Sequence, residues 1–350
     1  MYYNVTCDDV SIYDNAVPGK MLLDPTLKRE ISSAAVLTYG LPRQSVYYDV
    51  IKPYASTLTV TEDDHLIFVG RPLPPSLDMD GTRRYRVEGA YAWLNDVIVD
   101  PTAIPDPEEA KDTSTYITNI IDYYNTKVGA SRQLDITVLP VAGTNLKVRD
   151  WQYETCADAI SRELDEVGLV ALVRYTAPAS VGLRVCDYRD YINNQPPLAQ
   201  MVRWGENIRS ISVEGLPFVT ALRAEGDDGA SAYVESSNLV NRYGYICGSK
   251  YWPISNVNIL RQRAITYLSQ EQPVGASHVE VSAVDLHLKD ATIAPLDLAR
   301  PAQIDAVSHG VPAGTILPIS AITYRLDKPS KDIMIGWPDQ TIETLTGQLR

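Results

Sequence analysis

Short stretches of alternating apolar and polar residues dominate the first hundred residues. Residues 58–60 and 66–69 are two apolar, β-branched runs separated by an acidic turn, a pattern typical of a β-hairpin. Residues 84–88 alternate, with tyrosine and valine on one face of a predicted strand. Gly89 follows, and we expect the chain to pass there from a strand into a short helix. Many short strands separated by turn residues predict a barrel or a sandwich.

Three stretches farther along the chain have the periodicity of amphipathic helices. Residues 114–128 place apolar side chains at positions i, i+3, i+4 and i+7. Residues 155–168 begin at Thr155, which can cap a helix, and end at Gly168. A third helix is predicted at residues 255–271. Strand-like segments separate these helices, and the sequence therefore predicts a mainly β protein with an α+β insert.

The chain of 350 residues is too long for one ordinary hydrophobic core. We expect residues 1–100 to form a first β-barrel together with residues 198–238, because residues 1–100 contain few long strands with which to close one. Residues 101–197 open with an acidic, proline-rich linker and form the α+β insert. Residues 239–350 form a second β domain, which includes the helix at residues 255–271 and has room for a small accessory subdomain.

Composition narrows the classes of function. Hydrophobic residues make up 45% and charged residues 21% of the chain, as in folded proteins. No apolar run approaches the ~20 residues that a membrane helix needs, and no export signal is visible, so we expect folding where the chain is made. The formal net charge of -13, without a run of lysine or arginine, argues against nucleic-acid binding.

The cysteine and the tyrosine content of the chain each lead to one expectation. The cysteines Cys7, Cys156, Cys186 and Cys247 show no Cys-x-x-Cys spacing, which argues against a zinc site or a redox pair. We expect all of them to be free, buried thiols. The chain has 22 tyrosines against 2 phenylalanines, which suits broad protein contacts as well as strand faces.

Two acids and one arginine near the predicted hairpin are candidates for chemistry. Glu88 and Asp96 are a possible carboxylate pair, and Arg71 a possible anion clamp. No nucleophile or histidine accompanies them, so we favour a structural interpretation. In that interpretation Gly70 and Gly89 are backbone pivots that need positive φ.

The histidines offer no familiar catalytic pattern. None of His65, His278, His287 and His309 lies in a His-Glu-x-x-His motif. We expect His278 and His287 on neighbouring strands. A metal site that they form with Asp285 or Glu280 is a minor alternative to plain solvent exposure of these polar residues. The sequence has no Gly-x-Ser-x-Gly elbow, phosphate-binding loop or dinucleotide fingerprint. A Ser/His/Asp triad assembled by folding stays open.

Four short motifs occur in a fixed order. IFVGR at residues 67–71 precedes EGAYAWLNDVIVDP at residues 88–101, then MVRWGENIRSISV at residues 201–213 and FVTALRAEG at residues 218–226, before a predicted closing hairpin. This order resembles the hub region of siphophage and prophage tail proteins usually named tail-associated lysin or prophage tail endopeptidase, and is similar to the baseplate hub of contractile phages. The matching positions are Gly70, Arg71, Glu88, Gly89, Ala90, Leu94, Asn95, Asp96, Pro101, Gly205, Asn207, Gly226 and Gly336.

The resemblance implies a virion structural protein. A homotrimer whose subunits each contribute two tube-like β-barrels forms a six-part ring under the six-fold tail tube and distal tail protein. The ring narrows the channel before ejection and opens on host attachment, and DNA passes without specific binding. Other expected partners are the tape-measure protein and receptor-binding or fibre proteins. The expected location is the virion tail tip, after assembly in the bacterial host cytoplasm.

Enzymatic and adhesive functions are the alternatives. In the resembled family the lysin activity belongs to domains after the hub, and this chain ends where the hub ends, so we expect no catalytic residue, cofactor or metal. A cell-wall hydrolase would use Glu88, Asp96 or Asp285 as acids. A carbohydrate-binding adhesin is favoured by tyrosine and tryptophan content, but the 5 tryptophans are scattered along the chain.

Overall fold

The computed structural model describes residues 2–17, 20–104, 110–139, 148, 153–176, 180–187, 200–215, 218–271, 277–288, 290, 292–309, 311, 314–328 and 330–336. The helices and strands of these residues are, in chain order, β1 (Tyr3–Cys7), β2 (Val10–Asp14), β3 (Leu23–Glu30), β4 (Val36–Leu41), β5 (Leu58–Glu62), β6 (His65–Pro72), β7 (Ser76–Leu77), β8 (Arg83–Gly89), α1 (Thr113–Lys127), β9 (Leu134–Val138), α2 (Cys156–Val167), β10 (Val170–Thr176), β11 (Ser180–Cys186), β12 (Met201–Arg203), β13 (Ile208–Gly215), β14 (Ala221–Glu225), β15 (Ser231–Glu235), α3 (Ser237–Tyr243), β16 (Cys247–Tyr251), α4 (Val257–Thr266), β17 (Ser277–Val284), β18 (Pro301–Asp305), β19 (Thr315–Arg325) and β20 (Ser330–Ile335). A 3₁₀ helix, Ala90–Asp96, follows β8.

One large, curled sheet of fourteen strands organises the molecule. Its strand order is β13-β17-β20-β19-β3-β4-β8-β6-β5-β1-β2, with β7 beside β8 and with β18 and β12 attached through β19. Antiparallel pairing of β19 with β3 joins the strands of the first ninety residues to those near the carboxyl end. The predicted fold class, mainly β with an α+β insert and accessory elements, is therefore confirmed, and the strands expected in two tube-like barrels lie in one large curled sheet.

Both halves of this sheet bury their apolar side chains in one common core. Val5 and Leu37 come from the early strands, and Ile322 and Ile333 from the late ones, and all four are fully buried. Val5, Leu37 and Ile333 alternate along their strands with more exposed residues, so the period of two directs one face of these strands inward. Burial of that shared face couples the stability of the two halves.

The insert between β8 and β12 has its own core. Helices α1 and α2 pack together beside the sheet β10-β11-β9. Thr155 Oγ1 accepts a hydrogen bond from the Asp158 N–H at 3.1 Å and caps α2. Gly168 ends that helix with φ of 73°, a left-handed conformation that glycine adopts at low cost. The helices predicted at residues 114–128 and 155–168 are confirmed.

The strands after the insert pair either with late strands of the large sheet or with one another. β12 pairs with β18 and β13 pairs with β17, both in the late half of the sheet. β14 pairs only with β15 and β16 among the described residues. Alternation predicts which face of a strand is buried but not which strand lies beside it.

The sheet β15-β14-β16 and helix α4 form a small accessory unit between β13 and β17. Leu260 and Ala264 of α4 pack against Leu222 and Ala224 of β14. The helix predicted at residues 255–271 is confirmed, with a π-helical turn at Tyr267–Glu271. No helix in the described ranges is long and apolar enough to cross a membrane.

Candidate functional site

The first candidate site is the Arg71 cluster, which consists of Arg71, Glu88 and Asp96. Arg71 lies on β6 directly opposite Glu88 on β8, and Asp96 ends the 3₁₀ helix. Arg71 Nη2 donates to Asp96 Oδ1 at 2.8 Å, and Nη1 donates to Asp96 Oδ2. Glu88 Oε2 lies 3.8 Å from Nη2. The hydrogen bond to Asp96, with the nearby charges, raises the pKa of Arg71, although burial opposes the shift.

This geometry defines a structural ion pair. Arg71 is 8% exposed and both terminal nitrogens of its guanidinium are engaged by Asp96, so Arg71 is not a free anion clamp. Glu88 and Asp96 converge on the same cation and serve as its ion-pair partners. The cluster ties the first strands to the start of the insert.

Gly70 and Gly89 are Cα partners in the pairing of β6 with β8. Neither residue has a positive φ, and that of Gly89 is -71°. A Cβ at Gly70 would lie 2.7 Å from the Glu88 carbonyl oxygen, and one at Gly89 would lie 3.0 Å from the Ala35 oxygen. The expectation of a left-handed backbone is therefore wrong, and glycine is needed because the neighbouring groups approach too closely for a side chain.

The 3₁₀ helix anchors the insert. Ala90 and Leu94 are buried in the same apolar core as the helices α1 and α2. Asn95 Nδ2 donates to the Ala92 carbonyl at 3.2 Å, and its Oδ1 accepts from the Thr155 hydroxyl at 3.4 Å. These residues thus connect the first strands to the N-terminal cap of α2.

Gly205 and Asn207 shape the turn between β12 and β13. Gly205 has φ of 86°. The buried Asn207 side chain accepts from the Arg203 N–H at 2.7 Å and donates to the Met201 carbonyl at 3.2 Å. Its own carbonyl accepts from the Val284 N–H at 2.8 Å, which ties the turn to β17.

Gly226 and Gly336 also occupy structural positions. A Cβ at Gly226 would overlap the Ile254 carbonyl oxygen. Gly336 donates from its N–H to the Pro318 carbonyl at 2.9 Å. The residues singled out by the sequence therefore lie at separate places in the fold, and only those around Arg71 form a cluster.

A second cluster, which the sequence analysis missed, lies where the two halves of the large sheet meet. This Lys331 cluster consists of Lys331, Glu62, Asp285, Gln200 and Tyr3. The ammonium of Lys331 is fully buried and donates to Glu62 Oε2 at 3.0 Å and to Asp285 Oδ2 at 2.9 Å. Gln200 Nε2 donates to Asp285 Oδ1, and the Tyr3 hydroxyl donates to Glu62 Oε1 at 3.0 Å.

Neighbouring acidic groups keep the buried Lys331 ammonium charged. Burial lowers the pKa of Lys331, but Glu62, Tyr324 and Asp285 outweigh it, and the net shift is upward. Burial and the charge of Glu62 raise the pKa of Tyr3, so its hydroxyl stays a neutral donor. The sequence did carry one signal, because Lys331 precedes Ile333 and Ile335 with the period of two that places all three on the inner face of β20.

The histidines do not form a metal site in the described ranges. His278 lies near the start of β17, whereas His287 lies in the 3₁₀ turn Leu286–Leu288 beyond its end. They are therefore not on neighbouring strands, and Asp285 is already engaged by Lys331. No group of three histidine, cysteine, aspartate or glutamate residues there is placed to hold a metal ion.

The cysteines differ in exposure. Cys7, Cys156 and Cys186 are free and buried, as expected. Burial raises the pKa of Cys156 to about 12, which makes its thiol a poor nucleophile at neutral pH. Cys247 is exposed, and the expectation of burial is wrong there, because its position on the accessory sheet points to solvent.

A cleft of about 630 Å³ lies beside the Lys331 cluster, where the first strands, the insert and the late strands meet. Residues 65–67 of β6 and residues 172–176 of β10 line two of its sides. Residues 295–301, which lead into β18, line a third.

Comparison with known proteins places the fold. The sequence matches no protein-family model and no curated protein sequence. The 43 kDa tail protein of prophage MuSo2 from Shewanella oneidensis superposes with a TM-score of 0.67 at 14% identity, over 97% of this chain and 99% of that one. A tail protein from Neisseria meningitidis MC58 gives 0.66 at 11% identity, over 99% of each chain.

A third structure agrees with these two. The prophage tail protein gp18 from Listeria monocytogenes EGD-e gives a TM-score of 0.60 at 11% identity, over 100% of this chain and 98% of that one. At such identities the likeness shows the fold rather than the function. The chain therefore has the fold of prophage tail proteins, and the similarity runs through both halves of the large sheet, the insert and the accessory unit.

Proposed function

We propose that this protein is a structural component of a phage or prophage tail, and that it forms the hub at the tail tip. The observation that carries the proposal is the match to tail proteins over nearly the full length of both chains. The buried clusters support a structural role, because each ties separate parts of the chain together by ion pairs.

The hub is a ring of three copies. Each chain carries two sets of strands, joined in one sheet by the pairing of β3 with β19. In this proposal the two sets are alike in fold, so that three chains present six related sets, which is the symmetry match that a six-fold tail tube and distal tail protein require. Among the described residues the main strand order ends at β2 and β13, and unpaired strand edges of this kind are suited to completion by a neighbouring subunit.

In this role the ring encloses the channel through which DNA passes. It narrows the channel before host attachment and opens at genome ejection. The net charge of -13 favours passage without binding, because a basic wall would hold the phosphates. The tape-measure protein and receptor-binding or fibre proteins are its further partners at the virion tail tip.

Molar mass in solution tests the assembly. Light scattering of the purified chain, alone and with its distal tail protein, is expected to give three copies of this chain per particle. A monomer that trimerises only with that partner agrees equally well. A stable dimer under both conditions would contradict the ring.

A further inference from the structure

Lys331 contacts two carboxylates inside the core of the large sheet. Its Nζ lies 2.9 Å from Asp285 Oδ2 and 2.9 Å from Glu62 Oε1. A further hydrogen bond of the ammonium goes to the Leu296 carbonyl at 3.2 Å. Lys331 is fully buried, and Asp285 is 1% exposed. An amine and a carboxyl group are therefore held in contact and shielded from bulk water.

Neighbouring strands fix the positions of these two groups. Lys331 lies on β20, and its Cα partner on β17 is Ala283, two residues before Asp285. Glu62 reaches the cluster from the other half of the sheet, at the end of β5. Fixed contact of this kind gives two reacting groups an effective concentration of about 10⁵ M or more. The arrangement is therefore suited to a reaction between the amine and the carboxyl group.

The two oxygens of the Asp285 carboxylate have different environments. Oδ1 accepts hydrogen bonds from Gln200 Nε2 and from the His287 backbone N–H at 3.1 Å. Oδ2 contacts Lys331 Nζ and accepts from the Leu296 N–H at 3.0 Å. When an amine adds to a carboxyl carbon, negative charge develops on an oxygen, and the two donors beside Oδ1 stabilise it there. Oδ1 is thus placed to become an amide oxygen, and Oδ2 to leave.

Glu62 is placed to carry the proton that must leave the amine. Its two oxygens lie 2.9 Å and 3.0 Å from Lys331 Nζ. The Tyr3 hydroxyl donates to Glu62 Oε1 at 3.0 Å and orients the carboxylate. A base in direct contact with an attacking amine can accept its proton and then deliver that proton to the leaving oxygen.

We propose that Lys331 and Asp285 join in an intramolecular isopeptide bond, with Glu62 as the proton carrier. The bond between Lys331 Nζ and Asp285 Cγ forms, and the bond between Cγ and Oδ2 breaks. Of the three ammonium protons, one stays on the amide nitrogen and two leave with Oδ2 as water. Glu62 ends the reaction as it began, and no oxidant or other reactant is needed.

Loss of two buried charges favours the product. A buried ion pair carries a desolvation cost that contact repays only in part, whereas an amide has no net charge. Oδ1 keeps its donors from Gln200 and His287 in the product. The released water has a way out, because Glu62 and Asp285 both line the cleft of about 630 Å³.

The charge on Lys331 sets the expected rate. Burial lowers and the neighbouring acids raise the pKa of Lys331, and the net shift is upward. Little neutral amine is therefore present at any moment, so we expect the bond to form slowly after folding. All of the reacting atoms belong to one chain, and the bond is independent of the proposed ring.

Mass spectrometry of the full-length protein tests the bond. After prolonged incubation in the folded state, we expect an intact mass that is lower than the mass of the sequence by one water molecule. Tryptic digestion should give a branched peptide that joins Lys331 to Asp285, without cleavage after Lys331. Lys28 is the internal control, because its Nζ lies 3.0 Å from Glu30 but its side chain is 55% exposed, and cleavage there should be normal.

Three variants separate the roles of the residues. Glu62→Gln keeps both reacting groups and is expected to slow bond formation about 100-fold or more. Asp285→Asn keeps the acceptor carbon, so its branched peptide should form with loss of ammonia in place of water. Lys331→Arg should abolish the branched peptide. Circular dichroism checks that each variant is folded, and the mass of the wild-type chain tests the bond without any variant.

Other results would overturn the proposal. One is the full mass of the sequence in the folded wild-type protein. A second is a loss of water that persists in Lys331→Arg, since Asp80-Gly81 and Asp228-Gly229 can each lose water as a succinimide without a lysine. A branched peptide that joins Lys331 to Glu62 would refute Asp285 as the acceptor. Equal rates in Glu62→Gln and the wild type would refute Glu62 as the proton carrier.

Discussion

The Arg71 and Lys331 clusters both bury a cation between carboxylates, but they differ in reach and exposure. Arg71 and Asp96 are 25 residues apart, and the Asp96 side chain is 39% exposed. Lys331 and Glu62 are 269 residues apart, and the lysine is completely buried with Asp285 1% exposed. The first cluster fixes a local connection, whereas the second holds the two halves of the sheet together. The same chemistry thus serves two levels of the fold.

The largest effect is expected for Lys331→Ala. The substitution leaves Glu62 and Asp285 buried without their cation, which should cost about 3–5 kcal/mol in the free energy of unfolding. Urea denaturation followed by tryptophan fluorescence measures this loss. Adding Glu62→Gln and Asp285→Asn to the variant should restore part of it. A loss below about 1 kcal/mol would show that the cluster does not couple the halves.

A smaller effect is expected for Gly70→Val, next to Arg71. The added side chain meets Phe68 and the Glu88 carbonyl oxygen, and overpacking of this kind costs about 1–3 kcal/mol. Gly129 is the matched control, since a Cβ there has no neighbour within 4 Å. Gly129→Ala should change the unfolding free energy by no more than about 0.5 kcal/mol. Similar losses for both glycines would refute the role of close approach at Gly70.

Salt should separate the two clusters. Asp96→Ala leaves Arg71 partly compensated by Glu88, and we expect a loss of about 1 kcal/mol. That loss should shrink at about 1 M salt, where exposed charges are screened within about 3 Å. The loss from Lys331→Ala should persist, because salt does not reach a fully buried ammonium. If the losses from Asp96→Ala and Lys331→Ala depended equally on salt, the two clusters would not differ in their exposure to solvent.

No effect is expected on cell-wall digestion. Both carboxylate sets are tied up by cations, so the purified chain should not clear a peptidoglycan suspension, and Asp96→Ala or Asp285→Ala should change nothing. Clearing by the wild-type chain that disappears in either variant would make that cluster an active site. Lysozyme added to the same suspension verifies the assay.

Local features of the fold were predictable because their signals lie within a few residues. The hairpin of β5 and β6 follows from two apolar runs around an acidic turn, where Asp63 and Asp64 adopt positive φ. Helix α2 follows from its apolar period, the cap at Thr155 and the stop at Gly168. In each case the residues that determine the structure are neighbours in the sequence.

Pairings between distant segments were not predictable in the same way. Nothing in β13 distinguishes β17 from the early strands as its partner, because both have one apolar and one polar face. The contact of Lys331 with Glu62 depends on the pairing of β3 with β19. It cannot be predicted from the sequence before that pairing is known. At Gly70 and Gly89 the sequence identified the right residues but the wrong cause, since crowding by a neighbouring strand is a tertiary property.

The pairing of β3 with β19 has a consequence for synthesis. Strand β3 leaves the ribosome early, yet its partner is made almost 300 residues later. Until β19 is made, one edge of β3 has no pairing strand. The side chains of β3 that pack against the late strands remain exposed to water. A nascent chain therefore cannot complete its scaffold before β19 emerges.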